Sequence, residues 1–127
     1  MNFIIMLTTL FGVFSCSKET SYSFIVKNQT NYTLDEVAFD WCSGSKTIFV
    51  DSSGQTGVIN LIYKSSGFNF FGSGSLCVTV KKYSNSLSNN ENTRGTSFER
   101  AKLDKKNVNT ILISFDNNSN SFVIKLE

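Results

Sequence analysis

The 127-residue chain has no histidine, no proline and a single tryptophan. Losing histidine removes the commonest general base and metal ligand, so any acid–base chemistry would fall to carboxylates, Lys, Tyr, Ser or Cys. Losing proline leaves turns to Asn, Ser and Gly, which punctuate the chain at short intervals. Charge of either sign is not in excess: twelve Lys and Arg against ten Asp and Glu give a net +2, too balanced to argue for nucleic acid or a strongly acidic partner. No GxSxG nucleophile elbow and no phosphate-binding glycine loop is present, and no CxxC pair or histidine completes a zinc set. A non-enzyme without metal or cofactor is the expectation.

Long apolar runs are also missing. The longest uncharged one, "FIIMLTTLFGVF" at residues 3 to 14, falls short of the roughly 20 residues of a membrane-spanning helix and suits the core of a signal peptide. Val13 and Ser15 then precede Cys16 in the size pattern a signal peptidase accepts, followed at once by the polar "SKETS". Cleavage before Cys16 is expected. "VFSC" at 13 to 16 resembles the lipobox of bacterial lipoproteins, and the Asn-, Ser- and Lys-rich composition is similar to that of Bacteroidota members. The resemblance implies that Cys16 becomes the acylated first residue, a palmitate-type anchor in the membrane. It also implies sorting to the outer membrane, since Ser17 rather than Asp follows the cysteine. Two or more acyl chains make such a tether stable, at about 0.8 kcal/mol per buried methylene.

Cysteine parity agrees with that reading. Three cysteines cannot all pair within one chain; with lipid on Cys16, Cys42 and Cys77 remain as an even pair, and an envelope location permits a disulfide between them. Cys42 lies opposite in parity to Val37, Phe39 and Trp41, and Cys77 to Leu76, Val78 and Val80. The bond is therefore expected on a sheet's outer face or at strand ends.

All the charged residues lie after residue 15, in a part the size of one domain. The expected division is a signal peptide at 1–15, a lipid-bearing terminus with short linker at 16–21, and a domain at 22–127. "YSFIVKN" at 22 to 28 alternates Tyr22, Phe24 and Val26 against Ser23, Ile25 and Lys27, and alternation returns from Tyr32 to Trp41; with "QTN" between them they suggest a hairpin. "KTIFV" at 46–50, "VINLIYK" at 58–64, "FNF" at 68–70, "LCVTVKKY" at 76–83, "TILISF" at 110–115 and "SFVIKL" at 121–126 continue the series, the fourth of these runs of strand, 58–64, being apolar enough to lie centrally. Turn signals about every 8 to 12 residues point to an all-β, single antiparallel β-sandwich of immunoglobulin-like architecture with about seven or eight strands. "SNSLSNNENTRGTS" at 84–97 reads as a loop, while "FERAKLDKK" is open between a short helix, with Thr96 and Glu99 at capping-box spacing, and an irregular strand.

Few residues ask to be a site. Phe68, Phe70 and Phe71, set among glycines and serines, are the expected ligand surface, with Tyr63, Tyr83 and Arg94 as residues that would join it. "DNNSNSFVIKLE" at 116–127 imitates a calcium loop, but Ser121 stands where the bend needs glycine, and a polar hairpin turn is expected. Adjacent Asp35 and Glu36 would face opposite ways in a regular strand. The expected role is a membrane-anchored, non-catalytic binding, assembly or structural module whose partner is an envelope protein or glycan. Its rivals are a lipoprotein inhibitor of a lytic enzyme and a hydrolase working through Asp40 or Asp51.

Overall fold

A computed structural model describes residues 18–41, 44–65, 74–92 and 94–127. Nine strands are present among them: β1 (Lys18–Asn28), β2 (Thr33–Trp41), β3 (Gly44–Val50), β4 (Ile59–Ser65), β5 (Ser75–Ser84), β6 (Asn89–Glu91), β7 (Gly95–Glu99), β8 (Asn109–Asp116) and β9 (Ser121–Leu126). They form a four-stranded sheet in the order β4-β1-β8-β9 and a five-stranded sheet in the order β3-β2-β5-β6, with β7 also on β5. The two sheets pack as a β-sandwich. All pairs are antiparallel except β1 with β8, where Phe24 to Asn28 run alongside Asn109 to Ile113 in parallel. Among the described residues no helix is long and apolar enough to cross a membrane.

Period-two patterning makes the core. Tyr22, Phe24 and Val26 on β1, with Ile111 and Ile113 on β8, are fully buried, facing Leu34 and Val37 on β2 and Leu76, Val78 and Val80 on β5. The Phe24 and Phe39 rings meet across the two sheets at 6.1 Å. Each such side chain contributes roughly 1.5–3 kcal/mol of burial.

Several expectations are corrected. β1 starts at Lys18 and pairs with β4 from there, so residues 18–21 belong to the sheet rather than to a linker. β1 and β2 do not form a hairpin but lie in different sheets. The buried Asn28 turns the chain across the sandwich: its Nδ2 donates to the Tyr32 carbonyl at 2.7 Å and the Asp51 carbonyl at 2.9 Å. Its Oδ1 accepts from the Thr30 backbone N–H at 3.0 Å and from Thr30 Oγ1 at 2.7 Å, so the whole hydrogen-bonding capacity of the amide is used.

β4 is an edge strand, not a central one, and its apolar excess is left outside, with Ile62 53% exposed. Residues 84–97 are not one loop. Asn89 to Glu91 and Gly95 to Thr96 extend the sheet by pairing with β5, because ladder bonds come from the backbone and need no apolar side chains. After Glu99 a single 3₁₀ turn, Arg100–Lys102, precedes Leu103, which enters the core. Thr96 lies within β7, and Glu99 at the cap position makes no side-chain capping bond.

β2 carries a bulge between Leu34 and Val37, where its three steps face only two on β3, from Val50 to Ile48, and where the register against β5 shifts on both sides of Glu36. The extra residue keeps Leu34 and Val37 inside and leaves Asp35 and Glu36 together outside, not on opposite faces as in a regular strand.

Candidate functional site

Because β1 and β8 run parallel, the turns after them emerge at the same pole, the one remote from Lys18. The β1–β2 arch, residues 29–32, sits there beside the β8–β9 turn and the 85–88 turn that follows β5. Each is held by a short polar side chain. Asn28 and Thr30 secure the arch, with Thr30 Oγ1 accepting from the Tyr32 N–H at 3.1 Å. Asn85 Oδ1 accepts from the N–H groups of Leu87 and Ser88, both at 2.9 Å. Asp116 accepts from the Asn118 N–H at 2.9 Å and Ser119 Oγ at 3.0 Å, and Asn120 turns the chain with φ +52°. The stretch that imitates a calcium loop is thus a hairpin turn. Those bonds hold the Asp116 carboxyl below its ordinary range, the Asn118 N–H first among the causes.

These turns enclose a groove of about 560 Å³, within the span of roughly 300–1,000 Å³ usual for small-molecule sites. Its apolar wall is Tyr32 and Phe115, which belong to a four-ring cluster. Tyr32 meets Tyr83 at 5.1 Å and Phe115 at 5.4 Å, and Phe122 meets Tyr83 at 4.7 Å and Phe115 at 5.1 Å, all edge to face. Edge-to-face rings of this kind hold one another in place. A second depression, about 270 Å³, opens beyond the same cluster between Tyr83, Phe122, Glu91 and Arg94.

Tyr83 and Arg94 are therefore brought to this pole, but Tyr63 is not. It is buried at the opposite pole, packed on Trp41 at 5.4 Å, with the Arg100 guanidinium 4.3 Å above its ring. Tyr22 also packs on Trp41, at 5.6 Å, and its buried hydroxyl has no hydrogen-bond partner among the described residues. Burial pushes the Tyr22 phenol up, and Arg100 acts against that shift.

Asp40 and Asp51 are likewise separated. Asp40 pairs with Ser45 near the end of β2, while Asp51 follows Val50, which pairs with Leu34; six residues of strand, roughly 20 Å, lie between these positions. That is too far for a glycosidase pair, whose carboxyls stand about 5–9.5 Å apart. Glu36 instead meets Lys82 at 3.6 Å on the exposed outer face, an ion pair of little energetic weight.

Cys77 is half-buried on that outer face, across from Asp40, with its thiol 3.3 Å from Ser97 Oγ. Cys16, Cys42, Phe68, Phe70 and Phe71 lie outside the described residues.

Sequence reasoning missed Gln29, Asn31 and Asn117, reading their stretches only as turns, and took Tyr32 only as the start of a strand. The local signal was the same at both: a short Asn-rich break after an apolar strand. Their juxtaposition comes from the parallel β1–β8 pair, which no local pattern announces. Compared with protein-family models, curated proteins and solved structures, the chain finds no match.

Proposed function

We propose that this chain is an outer-membrane lipoprotein, cleaved before Cys16 and held by lipid on that residue, which serves as a non-catalytic binding module with its distal groove as the contact surface. The observation that carries the reading is the course of β1. It begins at Lys18, two positions after Cys16, and its eleven residues end at Asn28 beside the groove. At about 3.3 Å per residue the strand separates the two ends by about 33 Å. A lipid on Cys16 would thus hold one pole at the bilayer and turn the groove away from it. The apolar run at 3 to 14 and the "VFSC" stretch support the anchor; the three pinned turns support a contact surface at the other pole.

The test is metabolic labelling with a fatty acid, run on wild type and Cys16→Ala, with a photo-crosslinking residue placed at Asn31 in each. Wild type is expected to take up label and fractionate with outer membrane, and Cys16→Ala to do neither. The Asn31 probe is expected to capture an envelope component that a probe at Ser45, on the membrane-side pole, does not. Unlabelled wild-type protein released to the medium overturns the anchor; equal capture from both poles overturns the distal contact surface.

A further inference from the structure

The distal groove differs from four smaller depressions among the described residues, each of which includes a Lys, Arg, Asp or Glu, in being lined by uncharged residues alone. Gln29, Asn31 and Asn117 stand around it as exposed carboxamides that make no side-chain hydrogen bond among the described residues. The amides that do hold the turns, Asn28 and Asn85, are a separate set. The groove therefore has an inner set of polar groups occupied with structure and an outer set left to solvent.

We propose that this groove binds a neutral, hydroxyl-rich oligosaccharide. The inference rests on the reading above that the distal pole is the contact surface. Each sugar hydroxyl both donates and accepts, and each carboxamide offers two donors and an acceptor, so three solvated amides match a polyol without fixing one polarity. No charge has to be stripped of water when they exchange solvent for hydroxyls. Tyr32 and Phe115, set edge to face at 5.4 Å, supply the apolar part of the wall, against which the C–H groups of a sugar ring can rest.

Other ligand classes fit less well. An anionic group would call for Lys or Arg in the lining and a cationic one for Asp or Glu, and neither is there. An extended peptide joins a sheet edge through unpaired backbone, whereas this groove is walled by turns whose backbone is engaged. Gln29 N–H donates to the Ile113 carbonyl at 2.8 Å, and Asn85 N–H to the Ser88 carbonyl at 3.0 Å. The same engagement fixes the walls before binding, which keeps the ordering cost low.

The experiment uses the full chain in a sugar-free detergent. It is applied to an array of neutral and acidic oligosaccharides, and neutral tetrasaccharides of glucose, mannose, galactose and N-acetylglucosamine are then titrated by calorimetry. Saturable binding of at least one neutral tetrasaccharide is expected, insensitive to salt because no ion pair is involved. Asn31→Ala and Asn117→Ala are each expected to weaken it roughly tenfold, about 1.4 kcal/mol. Neither side chain makes a hydrogen bond among the described residues, so both variants are expected to keep the wild-type unfolding midpoint.

Three outcomes overturn the proposal: no neutral oligosaccharide binds, binding survives undiminished in both variants, or only acidic glycans bind and salt abolishes it. If the Asn31 photo-probe captures a protein while no oligosaccharide binds, the glycan is excluded and the distal contact surface stands. If oligosaccharide binds but Cys16 takes no lipid, the groove assignment stands and the anchor fails.

Discussion

The side-chain amide of Asn28 donates to the Tyr32 carbonyl at 2.7 Å, and through that bond the last residue of β1 sets the position of the first ring in the groove wall. The same amide reaches the Asp51 carbonyl at 2.9 Å, so one 2%-exposed side chain ties together an arch, a turn and both sheets.

Asn28→Ala is expected to lower stability by on the order of 2 kcal/mol, because it removes four hydrogen bonds and leaves the buried Thr30 N–H without an acceptor, while the Tyr32 carbonyl keeps Thr30 Oγ1 and the Asp51 carbonyl keeps the Gly54 N–H. Urea unfolding measures this. A loss below about 1 kcal/mol, the size of an ordinary exposed hydrogen bond, would contradict the bridging role.

Gly95 lets β7 approach β5. A Cβ there would meet the Val78 carbonyl oxygen at 2.6 Å and press on Thr79 Oγ1. Gly95→Ala is therefore expected to cost roughly 1–3 kcal/mol through forced backbone movement. Amide hydrogen exchange should speed up selectively along 95–99 and the facing part of β5. Uniform change across both sheets would count against a local clash.

Acid should weaken the fold through two turn carboxylates. Asp104 and Asp116 both lie below the ordinary value of 3.8, Asp104 chiefly through Asn107 and Asp116 chiefly through the Asn118 N–H. Since the folded values are below the unfolded ones, each adds stability that is fully present above about pH 4 and fades as pH falls through its folded value. Carboxyl titration by NMR should show both depressed. The double variant Asp104→Ala with Asp116→Ala should then lose less stability than wild type on acidification from about pH 6 to about pH 3.

Cys77 is a free thiol in the structure; oxidation on export is expected to join it to Cys42. A bond across 35 positions removes loop entropy worth roughly 3–4 kcal/mol from the unfolded chain. Cys77 lies half-buried on an outer face, within reach of a reductant. Intact mass should rise by two hydrogens on reduction, and the urea midpoint should fall. Two thiols alkylated without reduction would show that the pair is not bonded.

Much of the fold was legible residue by residue. The alternation of Tyr22, Phe24 and Val26, and of Leu76, Val78 and Val80, gave the inward faces correctly, since side-chain direction in a strand follows from parity alone. The β8–β9 hairpin was legible too, because its Asn-rich turn joins strands adjacent in sequence. Errors came where partners are distant or polar: β4 taken as central, β6 and the first three residues of β7 taken as loop, β1 and β2 taken as a hairpin. Asn28 was legible only as the last residue of a strand and Asn109 carried no signal, although both are buried and Asn109 Nδ2 donates to the Asp104 carbonyl at 2.9 Å and the Ser23 carbonyl at 3.2 Å.

The sequence by itself determined the class of fold and which faces are apolar, for both follow from local period and turn chemistry. Only the tertiary structure decided which strands are neighbours. Backbone groups are chemically alike at nearly every residue, so pairing is settled by how whole sheets pack rather than by any local motif. That choice, above all the parallel alignment of β1 with β8, is what brings Gln29, Asn31 and Tyr32 beside Phe115 and Asn117.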